Sequence, residues 1–151
     1  MTYISQFIFS FISTMGFAVM FNAPSKSVYK SGLAGAVGWI CYMLTHAYYP
    51  NKPIASFIGA FAVGLISEWF AVYTRRPVTL YVIPGIIPLV PGFGLYYTIL
   101  SIIQKDYIRA ANAGVEAMLI AIGIALGLIV ALQIGRNIRT SYIHRRKLTR
   151  S

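Results

Sequence analysis

The chain has 151 residues, of which 58% are hydrophobic, 15% aromatic and only 11% charged, with a mean hydropathy of +0.69. A soluble domain of this size needs about a quarter of its residues charged, so a soluble fold is excluded and lipid is the natural solvent. The net charge of +10 is local: Arg136, Arg139, Arg145, Arg146, Lys147 and Arg150 crowd the C-terminus, and without them it falls to +4, which implies no nucleic-acid-binding surface.

A spanning helix needs about 20 mainly apolar residues, and five stretches meet that requirement. They cover residues 3–21, 31–49, 54–73, 78–103 and 113–135. The first has no Lys or Arg before it and no convincing small-residue cleavage site, so it reads as a span and not as a cleaved signal peptide. Between the spans lie NAPSKSVYK, PNKP, TRRP and QKDYIRAAN, short polar runs with Pro, Asn and basic residues, as expected where a chain turns at a membrane surface. The expectation is an all-α integral membrane protein with about five transmembrane helices. Its organisation reads as a membrane domain over 1–135 and a basic tail over 136–151.

Cytoplasmic loops accumulate Lys and Arg. With the N-terminus outside, the inner side receives Lys26, Lys30, Arg75, Arg76 and the six tail residues, ten in all, against Lys52, Lys105 and Arg109 outside. A re-entrant hairpin in place of the fourth span would leave seven against six, so the charge split favours five spans. The C-terminus is then cytoplasmic, and the tail reads as a topology anchor on anionic lipid.

The fourth span is the unusual one. VTLYVIPGIIPLVPGFGLYY sets Pro84, Pro88 and Pro91 among Gly85, Gly92 and Gly94. Each proline lacks an N–H and crowds the carbonyl four residues back, so the carbonyls of Leu80, Pro84 and Ile87 lose their intrahelical donors. Unpaired backbone at membrane depth is tolerated where protein or a water-filled cavity covers it, and broken helices are where transporters place substrate sites. The segment is expected to be a helix broken rather than merely kinked. If a helix resumes near Phe93, its free N–H groups suit a carboxylate. Substrate contact is therefore expected at Pro84, Gly85, Pro88, Pro91, Gly92, Phe93 and Gly94, through backbone and not side chains.

Two of the three acids belong to spans. Ser56, Ala60, Gly64 and Glu68 form a four-residue row on one helix face, a small-residue seam that points Glu68 at other helices or a cavity. Glu116 shares a face with Gly123, Gly127, Ala131 and Gly135; an acid in a first helical turn is also a simple partner for the helix dipole. Both are candidates for coupling or for a substrate ammonium. Asp106, beside Lys105 and Arg109, reads as a solvated ion pair. His46, one turn after Tyr42, reads first as a hydrogen-bonded interfacial histidine and second as a proton relay. Cys41 is the only cysteine, which excludes an internal disulfide, a multi-cysteine metal site and an iron–sulfur cluster. The sequence holds no Ser/His/Asp set, metal-ligand spacing or phosphate loop, so neither an enzyme nor a cofactor is expected.

The runs FISTMGFAVMFNAPSK, SGLAGAVGW, GLISEWFAVYTRRPVTLYVIPGIIPLVPG and AANAGVEAMLIAIGIALG together resemble the threonine/serine exporter family, specifically its short membrane subunit, over about residues 7–135. The resemblance implies a chain equivalent to the C-terminal half of a full-length exporter, working with a larger membrane subunit. It also implies export of threonine, serine or a related small carboxylate across a bacterial cytoplasmic membrane, driven by an ion gradient. By position it falls on Glu68, Pro84, Gly85, Pro88, Pro91, Gly92 and Glu116. A homo-oligomer is the competing assembly, and a non-transporting accessory subunit the competing function.

Overall fold

The computed structural model describes the backbone of residues 3–148 and the side chains of residues 3–137. Every described element is helical: α1 (Tyr3–Met20), α2 (Ser25–Tyr48), α3 (Lys52–Thr74), α4 (Thr79–Gly85), a 3-10 turn (Ile87–Leu89), α5 (Gly92–Ile103) and α6 (Tyr107–Leu148). This is an all-α membrane protein. Three of its helices, α1, α3 and Tyr107–Asn137 of α6, are long and apolar enough to cross a membrane, and α4 with α5 makes a fourth passage bent by 55°. The second expected span, the 24-residue α2, is not among them: its Ser, Gly, Tyr and His residues lower its hydropathy.

Boundaries differ from expectation in two places. α2 starts at Ser25 and not near 31, so Lys26 and Lys30 belong to the helix. α6 starts at Tyr107, because Asp106 Oδ1 accepts the Arg109 N–H at 3.0 Å and caps the helix. Asp106 also forms the expected ion pair with Arg109, at 3.6 Å. The 135/136 boundary carries no break, since the α6 backbone runs on to Leu148.

The helices form an open row. α1 packs on α2, α2 on α3, α3 on α6, and α6 on α5, while α4 lies in the groove among α1, α2 and α3. α3 and α6 run parallel: Pro53 and Phe57 face Gly123, Ala60 faces Gly127, Gly64 faces Ala131 and Glu68 faces Gly135. The two small-residue rows read in the sequence are thus each other's partner. A Cβ at Gly127 would collide with the Phe57 carbonyl oxygen, so glycine is what sets the backbone separation there. The antiparallel α2 and α3 use the same device where Gly38 meets Gly59.

Hydroxyls inside the helices are satisfied by bonds back along their own helix. Thr14, Thr45, Thr74 and Thr98 donate to the carbonyls of Ser10, Cys41, Phe70 and Gly94 at 2.6–2.8 Å. Ser56 Oγ and Ser67 Oγ are buried without a hydrogen-bond partner among the described residues.

α4 and α5 cross the bundle in one direction. Tyr81 sits beside Phe70 and Thr74 near the end of α3, Gly85 lies against Val63, Leu89 approaches Gly59, and Gly94 packs on Ala117 of α6. The Arg75 and Lys105 linkers therefore lie at opposite ends of the protein, which is the arrangement of a broken span and not of a re-entrant hairpin. In a Cys41→Ser background, single cysteines placed in these two linkers should react with an impermeant maleimide from opposite sides of the membrane. Labelling of both from one side would overturn the crossing.

Candidate functional site

The break begins where Pro84 removes the N–H that Leu80 O would have received. Ser31 of α2 supplies the replacement: its Oγ donates to the Leu80 carbonyl at 3.0 Å and stays 3.1 Å from the Ser27 carbonyl. The Ile87 carbonyl, freed by Pro91, receives the Val90 N–H at 3.2 Å through the 3-10 turn. The Pro84 carbonyl has only the Ile86 N–H, whose better acceptor is Val82 O at 3.0 Å. Two of the three carbonyls expected to be orphaned are thus paired within the protein.

On the far side of the break, the Gly92 N–H bonds Val90 O at 2.8 Å and the Leu95 N–H bonds Pro91 O at 3.1 Å. Leu95 drops out of the expected donor set. The N–H groups of Phe93 and Gly94 remain as first-turn donors of α5 with no acceptor among the described residues.

The expected site segment divides at Leu89. Pro84 and Gly85 are buried, Gly85 so close to Val63 that a side chain there would collide unless Val63 moved. Pro88 is half-buried in the turn. Pro91 lines a groove of about 570 Å³ between the turn, α5 and α6, with Ile86, Val90, Leu95, Ala121 and Leu128 among its other walls. Open space surrounds Gly92. Phe93 is 79% exposed and stacks on Tyr97, while Gly94 packs against Ala117. No charged residue lines the groove.

Glu68 is 8% exposed, and its methylenes fill the notch left by Gly135. It makes no hydrogen bond or ion pair with any described residue. Glu116 behaves oppositely: it is half-exposed and bonded to Lys52 Nζ at 2.7 Å, pinning α6 to the start of α3. With α6 starting at Tyr107, Glu116 lies well past the first turn, so the helix dipole is not its partner. At 1.5 Å per residue, Glu116 and the Gly135 contact of Glu68 are about 28 Å apart along α6, so the two acids do not share a site.

His46 extends a ring ladder from Trp39 through Tyr42, with centroids 5.1 and 5.9 Å apart. Sequence reasoning missed the polar cluster around Tyr81. Thr74 gives its proton to Phe70 O, so Tyr81 donates to Thr74 at 2.7 Å and Ser27 donates to Tyr81 at 3.2 Å. This directed chain ties α4 to α2 and α3 at the Arg75 end. The row Ser27, Ser31, Gly35 along α2 was the available signal, since small polar residues at four-residue steps mark a face that another helix covers.

Replacing Ser31 by Ala should destabilise the protein by about 1–3 kcal/mol, because a buried carbonyl loses its donor. Thermal unfolding in detergent should show the loss, and Ser31→Thr should restore most of it; an unchanged transition in Ser31→Ala would mean that Leu80 O finds another donor.

No solved structure matches the chain. The family model described as Threonine/Serine exporter, ThrE, matches residues 6–134, from within α1 to within α6. With most of its length, its proline break and its buried glutamate inside that match, the chain belongs to the threonine/serine exporter family.

Proposed function

We propose that this chain is the small subunit of a two-component secondary exporter that moves threonine, serine or a related small carboxylate out of the cell. The observation that carries the proposal is Glu68: a carboxyl group 8% exposed inside an apolar helix seam, with no bond to any described residue. Such a group costs a few kcal/mol to place in a membrane and is retained where it works. It serves to hold a substrate ammonium or to take up a coupling proton. Glu116, already satisfied by Lys52, is the weaker candidate for either role.

The break supports a substrate path. It lies level with the middle of α3, where Leu89 meets Gly59 and Gly85 meets Val63, and the Phe93 and Gly94 N–H groups above it suit a carboxylate. The open row supports a second component: among the described residues α1 makes no extensive packing contact with α5 or α6, so the described helices do not close around a path, and a larger membrane subunit of the same family would supply the missing wall. A homo-oligomer would supply it from a second copy. Lys26, Lys30, Arg75 and Arg76 all fall at one end of the protein, the end toward which α6 carries the basic tail. That asymmetry supports a cytoplasmic C-terminus in a bacterial inner membrane, with the N-terminus outside.

Two variants test the reading in vesicles holding the chain with its partner and loaded with labelled threonine or serine. Glu68→Gln keeps shape and hydrogen-bonding capacity, and should lower export by at least about tenfold without lowering the amount of protein in the membrane. Normal export with normal pH dependence would remove Glu68 from the mechanism. The triple variant Pro88→Ala, Pro91→Ala, Gly92→Leu fits a helix better than the native residues and meets open space at position 92, so it should insert normally and lose export. Retained export would route the path away from the break.

A further inference from the structure

Lys30 is the buried cation of the Arg75 end. One turn earlier Lys26 is exposed, as is Arg75, but Lys30 is only 9% exposed. A lysine that snorkels keeps its head in water. Lys30 instead turns its head among three rings, with Nζ 5.0 Å from the centroid of Tyr73, 5.6 Å from Tyr29 and 6.0 Å from Phe70. Ring faces attract the charge but accept its three N–H donors poorly.

No acid of this chain completes the site. The sequence has three, of which Asp106 pairs with Arg109, Glu116 pairs with Lys52, and Glu68 lies on the α6 side of α3. Nor is the ammonium sealed. Among the described residues the sealed polar side-chain atoms without a hydrogen bond are Ser56 Oγ and Ser67 Oγ, so Lys30 Nζ, which has no hydrogen bond to any described residue, keeps some open surface. Two walls of the cage face outward, Tyr73 at 76% and Tyr29 at 48% exposure. Tyr29 is also a wall of a second cavity, of about 430 Å³, between α1 and α2. The third wall, Phe70, is held in place by Tyr81, whose ring lies 5.8 Å away.

We infer that Lys30 is an anion-binding group that takes the carboxylate of the exported amino acid where it enters at the Arg75 end, with Tyr29 and Tyr73 as the walls through which it passes. This rests on the exporter reading. The cage holds the ammonium in one place before substrate arrives, and the carboxylate supplies the acceptors that the rings lack.

The test is concentration-dependent efflux of labelled threonine from vesicles holding the full chain and its partner, in neutral phosphatidylcholine with and without added phosphatidylglycerol. Lys30→Gln should raise the threonine KM by about tenfold or more with most of Vmax retained, and Lys30→Arg should recover part of the loss. Threoninol, which lacks the carboxylate, should compete with equal weakness against wild type and Lys30→Gln. An unchanged KM in Lys30→Gln, with wild-type export intact, overturns the inference and leaves the exporter reading standing. So does a fall in Vmax at constant KM, which would make the cage a packing element. A defect confined to vesicles with phosphatidylglycerol would assign the site to a lipid phosphate and also overturn it. Absence of threonine and serine efflux by the wild type would overturn the exporter reading itself, and this inference with it.

Discussion

A backbone carbonyl left without a donor in hydrocarbon costs several kcal/mol, and the passage formed by α4 and α5 has to carry three prolines through that solvent. The bond from Ser31 Oγ to Leu80 O is what makes this tolerable at the first proline. It fixes α4 against α2, and from that contact the remaining geometry follows. Tyr81 is held under Ser27 and Thr74, Gly85 is pressed onto Val63, and the 3-10 turn delivers Pro91 to the groove beside α6. The break is therefore a well-supported object whose first half is core and whose second half is open, rather than a loose segment between two helices.

The interior looks unlike that of a soluble protein of equal hydrophobic content. Its fully buried side chains are mostly Ala, Ser and Thr, with Val63 and Tyr81 the largest, while Phe93, Ile103 and Ile108 are more than 70% exposed. In lipid a large apolar side chain gains little by turning inward, so close approach of backbones and local hydroxyl bonds hold the helices together. The α3–α6 seam, with glycine or alanine at each crossing, is the clearest instance. Lys52 and Glu116 add an ion pair at its edge, where half-exposure limits what that pair contributes.

Much of this was legible in the residues. Periodic apolar stretches gave the helices, of which three and the bent α4–α5 pair are long and apolar enough to cross a membrane while α2 is not, the proline spacing gave the break, and the rows ending in Glu68 and Gly135 marked two packing faces. What periodicity could not show is which face meets which, since a small-residue row is complementary to any other. The starts of α2 and α6 were misplaced because Lys26, Lys30 and Arg109 lower local hydropathy, although helices readily carry such residues at their polar ends. Glu116 was read as a first-turn residue for the same reason. The proline rule named the right carbonyls but said nothing of donors arriving from other segments, so Ser31 and the Tyr81 chain went unseen. Lys30 looked like one more topology charge, because composition does not distinguish a cation in water from one turned inward.

The parallel alignment of α3 and α6 has a consequence for assembly. Two parallel helices cannot be a hairpin, and here the passage that separates them is the broken one. The seam is thus a non-local contact, which closes only after α4 and α5 have threaded back across the membrane and α6 has left the ribosome. Until then the face bearing Ser56, Gly64 and Glu68 has no helix of its own chain to cover it. Anything that delays the crossing of the proline segment prolongs that interval, so the broken passage also sets the moment at which the face bearing Glu68 is first sheltered.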